Sequence, residues 1–178
     1  AVLFTSPEVT VTTLADAVSP DGACSLREAI TAVNSNGTTG DCFAPAGVDA
    51  INFAVDGTIS LASSLPPIAS EVAIDGSGRD VTIDGQGQWG VLYVNAGATA
   101  AVNSTFIGNV AQNGSAIYNF IDDDLTINHT TFTGNTNTSG VGAVIQNAGG
   151  GVTVLGNTIV ESVGLACVNG TTTADTSN

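Results

Sequence analysis

Apolar and polar positions repeat in two near-copies in the second half of the chain, Asn103-Ser-Thr-Phe-Ile-Gly-Asn109 and Asn128-His-Thr-Thr-Phe-Thr-Gly-Asn135. Their phenylalanines, Phe106 and Phe132, are 26 residues apart, and a weaker third copy places Ile159 one further period on. A period in the twenties is typical of solenoids, whose repeats bury apolar side chains only by stacking on their neighbours. The pattern therefore predicts a stack of coils, with any functional surface on its sides or ends.

Aligning the copies predicts columns of side chains that run along the stack, because alternate residues of a strand point to opposite faces. Phe106, Phe132 and Ile159 are predicted to stack inside the core. The predicted outward column consists of Thr105, Thr131 and Thr158. Two further strands, Leu125-Thr-Ile127 and Val152-Thr-Val154, align in the same way.

A third strand of each coil ends in asparagine. The predicted ladder consists of Asn95, Asn119, Asn147 and Asn169. Stacked asparagines at a corner can hydrogen-bond from rung to rung, as amide ladders do in other stacked β structures. The same alignment places Cys167 in register with Ile117 and Ile145, so we expect it to be a small buried core residue.

The first 50 residues follow a different pattern. Val9-Thr-Val-Thr-Thr13 alternates as a strand, and Ser25 to about Asn34 is predicted to be a helix. Ser25 and Glu28 have the spacing of a capping box, and the apolar residues that follow fall on one face. We therefore expect one domain, with a strand, a capping helix and a loop in residues 1–50 and solenoid coils in residues 51–178.

Composition agrees with an all-β chain rich in tight turns. Of 178 residues 43% are hydrophobic, only 10% are charged and 22 are glycine, with a mean hydropathy of +0.31. The short apolar runs are β-branched and bounded by Gly, Asn and Asp, which favour turns. No run approaches the roughly 20 apolar residues that cross a bilayer, so no transmembrane segment is expected.

The charge balance narrows the choice of partners. Sixteen acidic residues face only Arg27 and Arg79, and the formal net charge is −14. Nucleic acid is excluded as a partner because phosphate binding depends on Lys and Arg. The same repulsion disfavours anionic lipids and polyuronates unless a divalent cation bridges them.

The chain begins at Ala1 without an initiator Met or a basic leader, as expected of a mature secreted protein. Cys24 and Cys42 flank one local segment, and a disulfide between them would stabilise the fold by roughly 3 kcal/mol in an oxidising compartment. Cys167 remains a free thiol, an intermolecular link or, as its register favours, a buried structural residue.

Two stretches resemble known bacterial proteins. The run Asp21-Gly-Ala-Cys-Ser-Leu-Arg-Glu-Ala-Ile30, after Val9-Thr-Val-Thr-Thr13, resembles the CSLREA domain of secreted and cell-surface proteins. Asn103-Ser-Thr-Phe-Ile-Gly-Asn109, followed by Ala116-Ile-Tyr-Asn119, is similar to the repeats of polymorphic outer-membrane and autotransporter-like proteins. The resemblance covers nearly the whole chain. It implies a right-handed parallel β-helix and an extracellular location, but it carries over no catalytic residues.

The only acidic cluster near the histidine is Asp122, Asp123 and Asp124, followed by His129. It could be a calcium site or the acid pair of a polysaccharide hydrolase, since glycosidases hold two carboxylates about 5 to 10 Å apart. An acidic loop between coils is the preferred explanation, because adjacent residues of one loop rarely hold two carboxylates across a sugar. We therefore expect no cofactor, with calcium as the one weak candidate.

Other candidate chemistry has simpler explanations. Asp56, Asp75 and Asp84 could be site carboxylates, but each lies where a turn residue is expected. Arg27 is expected to pair with Glu28 or to cap carbonyl groups. The outward threonines could bind ice, although threonine is also an ordinary occupant of an exposed strand.

The ends of the predicted stack suggest assembly. A solenoid terminus exposes unpaired backbone groups that must be capped or paired, and the last residues have no apolar pattern to cover a core. Either the chain is a fragment of a longer protein, or the open end meets another subunit. In the second case Ala1, Val2, Leu3 and Phe4 could add a strand to another copy and build a filament. We expect a non-enzymatic, secreted or cell-surface structural or adhesive protein that assembles as a homo-oligomer. A β-helix that binds or cleaves carbohydrate, such as a surface glycan, is the alternative.

Overall fold

The computed structural model describes residues 7–48, 50–95, 99–120, 124–138, 143–148, 153–156, 159–162, 165–169 and 175–177. The described part contains one helix, α1 (Leu26–Ser35), and short strands throughout. The strands are β1 (Glu8–Val11), β2 (Thr38–Thr39), β3 (Cys42–Phe43), β4 (Ala50–Phe53), β5 (Gly57–Ser60), β6 (Val72–Asp75), β7 (Val81–Asp84), β8 (Leu92–Val94), β9 (Thr99–Val102), β10 (Thr105–Ile107), β11 (Val110–Ala111), β12 (Ile117–Asn119), β13 (Leu125–Asn128), β14 (Thr131–Asn137), β15 (Ala143–Asn147), β16 (Thr153–Gly156), β17 (Ile159–Ser162), β18 (Leu165–Asn169) and β19 (Asp175–Ser177).

The chain winds through three parallel sheets in turn. The coils that begin at β6, β9, β13 and β16 each add a strand to every sheet, whereas the first coil meets the third sheet only through a bridge between Ile68 and Val94. The first sheet has the order β1-β4-β6-β9-β13-β16-β19, and the third has β8-β12-β15-β18. The second sheet runs β5-β7-β10-β14, with β11 and β17 also paired to β14. The predicted parallel β-helix with a short helix is confirmed.

Columns of apolar side chains fill the interior along the stack. In the second sheet Ile59, Ile83, Phe106 and Phe132 are in register on successive rungs, and all four are fully buried. The rings of Phe106 and Phe132 lie nearly parallel, at 9°, with their centroids 5.1 Å apart. The predicted phenylalanine stack is confirmed, and toward the N-terminal end of the stack the same column continues as Ile83 and Ile59.

The next rung corrects the predicted register by one residue. Phe132 lies opposite Val160, and Ile159 lies opposite Thr131 instead. Leu125 likewise lies opposite Thr153 rather than Val152. The reason is the length of this coil: Leu125 and Thr153, like Thr131 and Ile159, are paired at a separation of 28 residues, one more than the alignment of these two strands assumed. Thr158 lies outside the described residues.

The asparagine ladder is confirmed for three of its four members. Asn119, Asn147 and Asn169 are in register, but Asn119 pairs with Val94 rather than Asn95. Leu92 and Val94 are both buried, so the alternation of β8 turns Asn95 outward to an exposed position. Cys167 lies opposite Ile145 as predicted, whereas the burial of its side chain stays a prediction.

Residues 7–48 form a cap at the N-terminal end of the stack. Strand β1 pairs with β4, so the cap supplies the first strand of the first sheet. Leu26, Ala29, Ile30 and Val33 of α1 are buried, which confirms the predicted one-sided helix. The segment predicted to be a loop contains the antiparallel hairpin β2–β3. Residues 1–4, predicted to drive assembly, lie outside the described residues.

Candidate functional site

The residues of the CSLREA-like run form the cap rather than a reactive site. The Ser25 side chain accepts a hydrogen bond from the Glu28 backbone N–H at 3.2 Å, and Glu28 accepts one from the Ser25 N–H at 2.9 Å. This reciprocal pair confirms the predicted capping box. Glu28 is buried and also accepts a hydrogen bond from the backbone of Ser19 at 2.8 Å. Its carboxylate is therefore fully used in holding the helix start.

Arg27 links the cap to the first coil. Its guanidinium contacts both carboxylate oxygens of Asp16, at 2.8 and 2.7 Å, and donates to the carbonyls of Ser64 and Ser63 at 2.7 and 2.8 Å. The predicted capping of carbonyls is confirmed. The predicted pairing with Glu28 is wrong, because the capping box already occupies that carboxylate. This bidentate arrangement makes Arg27 a structural clamp.

The predicted disulfide joins Cys24, directly before the helix N-cap, to Cys42 in β3. Their Cα atoms are 4.9 Å apart, and both residues are buried. The bond ties the hairpin to the start of the helix. Together with the capping box and Arg27, it makes the cap a cross-linked unit.

The candidate carboxylates of the coils act as turn formers. Asp75 accepts hydrogen bonds from the backbone and side chain of Ser77, and Asp84 accepts one from the backbone of Gln86. Asp56 accepts from the Asp80 N–H, which lowers its pKa, and the neighbouring Arg79 lowers it further. The prediction that turns explain these residues is confirmed for Asp75 and Asp84, whereas Asp56 bonds to residues of the next coil.

Of the predicted acidic cluster, Asp122 and Asp123 lie outside the described residues. Asp124 is exposed, and His129 occupies a corner with a left-handed φ of 49°. The described residues contain no group of three or more ligating side chains placed to hold a metal ion. The calcium site therefore stays a prediction.

A second, buried asparagine ladder escaped the sequence analysis. Asn135 accepts hydrogen bonds from both the backbone and the side-chain amide of Asn109, at 3.0 and 2.7 Å, and donates to the Phe106 carbonyl. Asn109 and Asn135 are both buried. The signal was present, because each ends a copy of the repeated motif.

The outward threonine column is longer than predicted on one side. Thr58, Thr82, Thr105 and Thr131 are in register on four successive rungs. The next outward column of the same strands is mixed, with Ser60, Asp84, Ile107 and Thr133. A regular two-column threonine face, which ice binding would require, is therefore not formed here.

A groove opens beside the third sheet, and we name it the tyrosine groove. Its volume is about 530 Å³, within the range of 300–1,000 Å³ typical of ligand pockets. Segment 64–67 and the turns at 88–91 and 110–114 form its walls. The lining includes Leu65, Gln88, Val91, Tyr93, Asn113 and Tyr118.

An aromatic cluster lies at the tyrosine groove, with Tyr93 and Tyr118 in the lining and Phe120 beside them. Tyr93 and Tyr118 occupy the same position on successive rungs, with ring centroids 5.2 Å apart and planes tilted by 50°. The ring of Phe120 lies 6.0 Å from each, and 50% of this residue is exposed. Burial, and then the neighbouring Tyr93, raises the pKa of Tyr118 above its usual value, so its phenol is protonated at neutral pH.

No protein-family model, curated protein or solved structure matches the chain. The resemblance to CSLREA domains and to outer-membrane repeats therefore stays a prediction. In the part of the chain that the structure describes, no helix has the length and apolarity needed to span a membrane.

Proposed function

We propose that this protein is a non-enzymatic, secreted or cell-surface β-solenoid with a structural and adhesive role. One observation carries the proposal: a continuous stack of three parallel sheets is closed at its N-terminal end by a cross-linked cap. Such a stack is a stiff body that displays side chains at a spacing of about 4.8 Å along its sides. Regular display of this kind suits surface recognition.

The use of the charged side chains supports a non-enzymatic role. Arg27, Asp16 and Glu28 hold the cap, and Asp56, Asp75 and Asp84 hold turns. Catalytic acids and bases need freedom to exchange protons with a substrate. These groups instead satisfy backbone and side-chain partners of the fold.

The extracellular location rests on the disulfide and the cap. A bond between Cys24 and Cys42 persists in oxidising compartments and is rare in the cytosol. We further propose that residues 9–30 form a CSLREA-type domain, since Ser25, Arg27 and Glu28 of the motif each stabilise the cap.

Self-assembly into an extracellular filament is part of the proposal. The apolar segment Ala1–Phe4 would add a strand to another copy. Light scattering and negative-stain images of the full chain should show oligomers or filaments, and deletion of residues 1–6 should leave monomers. A control that replaces only Thr5 and Ser6 by alanine should still assemble. Filaments that survive the deletion would overturn the donor-strand model.

Cleavage of carbohydrate is the less favoured alternative. A glycosidase needs two carboxylates facing each other across the sugar, and the residues described as lining the tyrosine groove include no Asp or Glu. The groove therefore supports binding rather than hydrolysis.

A further inference from the structure

We propose that the tyrosine groove binds a neutral glycan, whose sugar rings stack on the aromatic cluster of Tyr93, Tyr118 and Phe120. The inference rests on the proposed adhesive function and gives its ligand class.

The placement of the aromatic side chains supports stacking of sugar rings. Leu92 and Val94 flank Tyr93 and point into the core, as Ile117 and Asn119 do around Tyr118. Both tyrosines are therefore directed outward by the alternation of their strands. Successive rungs are about 4.8 Å apart, a distance close to the length of one pyranose ring. Neighbouring rungs can thus serve neighbouring sugars.

Charge supports a neutral ligand. The residues described as lining the groove include no Asp, Glu, Lys, Arg or His, and the whole chain carries a net charge of −14. An acidic ligand would be repelled by the chain, and a cationic ligand would find no carboxylate among these lining residues. A neutral ligand is the one that fits.

The mixture of apolar and polar groups at the groove also suits a sugar. Sugar rings combine an apolar C–H face with a rim of hydroxyl groups, and aromatic rings with polar tips complement both. Gln88 and Asn113 are exposed at the groove, and no hydrogen bond from either side-chain amide is found among the described residues. These amides and the protonated Tyr118 phenol can donate to sugar hydroxyls.

Backbone geometry separates a glycan from an extended peptide. Peptides gain affinity by adding a strand to an open sheet edge, but the groove lies on the side of the stack. There the strands β8 and β12 are already paired with each other through their backbones. Gly114 closes the turn above β12 with a left-handed φ of 48°, and a Cβ at this position would collide with the Ile117 backbone. Strand β8 ends the third sheet, and its outer edge is bridged by Ile68, which donates to the Tyr93 carbonyl and accepts from the Asn95 N–H. The groove thus has a shaped wall beside an edge that Ile68 already partly occupies.

The test is isothermal titration calorimetry with cellohexaose, mannohexaose, maltohexaose and, as the acidic comparison, hexagalacturonate. At least one neutral hexasaccharide should bind, and hexagalacturonate should not. Tyr118→Ala should weaken binding at least about tenfold, as expected when a stacking ring is removed, whereas Tyr118→Phe should retain most of the affinity. Phe43→Ala is the matched control, because Phe43 is 63% exposed on β3, away from the groove.

A second variant controls for the possibility that Tyr118→Ala misfolds. The double variant Gln88→Ala/Asn113→Ala changes only exposed side chains and should weaken binding several-fold with an unchanged melting temperature. The proposal is overturned if no neutral hexasaccharide binds at millimolar concentration, if Tyr118→Ala binds like wild type, or if hexagalacturonate binds best. Loss of self-association in Tyr118→Ala without any sugar binding would assign the groove to a second copy and would also overturn it.

Assembly and reducing-end release are measured on the same samples. Absence of sugar binding, with assembly intact and no new reducing ends, refutes the glycan proposal alone. Release of reducing ends refutes the proposed non-enzymatic function instead.

Discussion

The cap and the coils bury similar apolar side chains but use their polar groups differently. In the cap, Arg27, Asp16 and Glu28 make individual contacts that are not repeated elsewhere in the described residues. In the coils, Asn109 and Asn135 bond to each other as equivalent residues of successive rungs. The cap is therefore specified by particular partners, and the coils by repetition of one pattern.

This difference has an energetic consequence. When one partner of a buried ion pair is removed, the other charge stays buried and its desolvation is no longer compensated. A rung in a column contacts mainly its two neighbours, so the stability of a solenoid is approximately a sum of local terms. Substitutions in the cap and in the coils should therefore lower the free energy of unfolding by different amounts.

Truncation of the phenylalanine stack should have the largest effect. Phe106→Ala removes a fully buried ring between Ile83 and Phe132 and should lower the free energy of unfolding by about 3–5 kcal/mol. Ile107→Ala, at a neighbouring residue that is 37% exposed, should cost less than about 1 kcal/mol. Urea denaturation measures both, and equal shifts for the two variants would contradict the assigned register.

Removal of the cap clamp should come next. Arg27→Ala leaves Asp16, with only 2% of its side chain exposed, without its ion partner, and should cost about 3 kcal/mol. Arg79→Ala is the control, because its 3.2 Å pair with Asp56 is exposed and should be worth less than about 1 kcal/mol. Equal losses in urea denaturation would mean that Arg27 is not a clamp.

The buried asparagine ladder should show a smaller, local loss. Asn135→Ala removes the acceptor for the Asn109 backbone N–H and should cost about 1–3 kcal/mol, as expected for an unsatisfied buried donor. Asn137→Ala removes an exposed bond to the Gln112 carbonyl and should cost less. Amide hydrogen exchange at Asn109 should accelerate in Asn135→Ala alone; unchanged exchange would argue against the ladder.

The smallest effect should appear at alkaline pH. The pKa of Tyr118 is raised in the folded state, by burial and then by Tyr93, so the unfolded chain loses this proton first as the pH rises. Stability should therefore fall as the pH increases above about 10, the usual pKa of tyrosine. Tyr118→Phe should remove this part of the pH dependence of the melting temperature. An identical alkaline profile in the variant would contradict the assignment.

The fold and the cap could be predicted from short-range patterns. The repeat containing Phe106 and Phe132 revealed the solenoid, and the spacing of Ser25 and Glu28 revealed the helix start. These signals are local, because a capping box spans one helical turn and the Thr-Phe-x-Gly-Asn parts of the two copies align without gaps.

Coil length could not be predicted so well, and the tyrosine groove was missed for this reason. Alignment on Asn95 placed Tyr93 beside Ile117, whereas the structure pairs Tyr93 with Tyr118. A shift of one residue exchanges the inward and outward faces of a strand. The contact between the two tyrosines could therefore not be predicted without the lengths of the turns between coils. The partner of Arg27 was equally inaccessible, because Asp16, Ser63 and Ser64 come from distant parts of the chain.

The most direct test of the proposed function is whether the protein cleaves a carbohydrate or only binds it. The purified full chain is incubated with neutral and acidic polysaccharides, with and without calcium, and reducing ends are measured over time. A non-enzymatic role predicts that the concentration of reducing ends stays at that of the protein-free control. Reducing ends that accumulate in proportion to protein concentration would contradict it and identify a carbohydrate-cleaving β-helix.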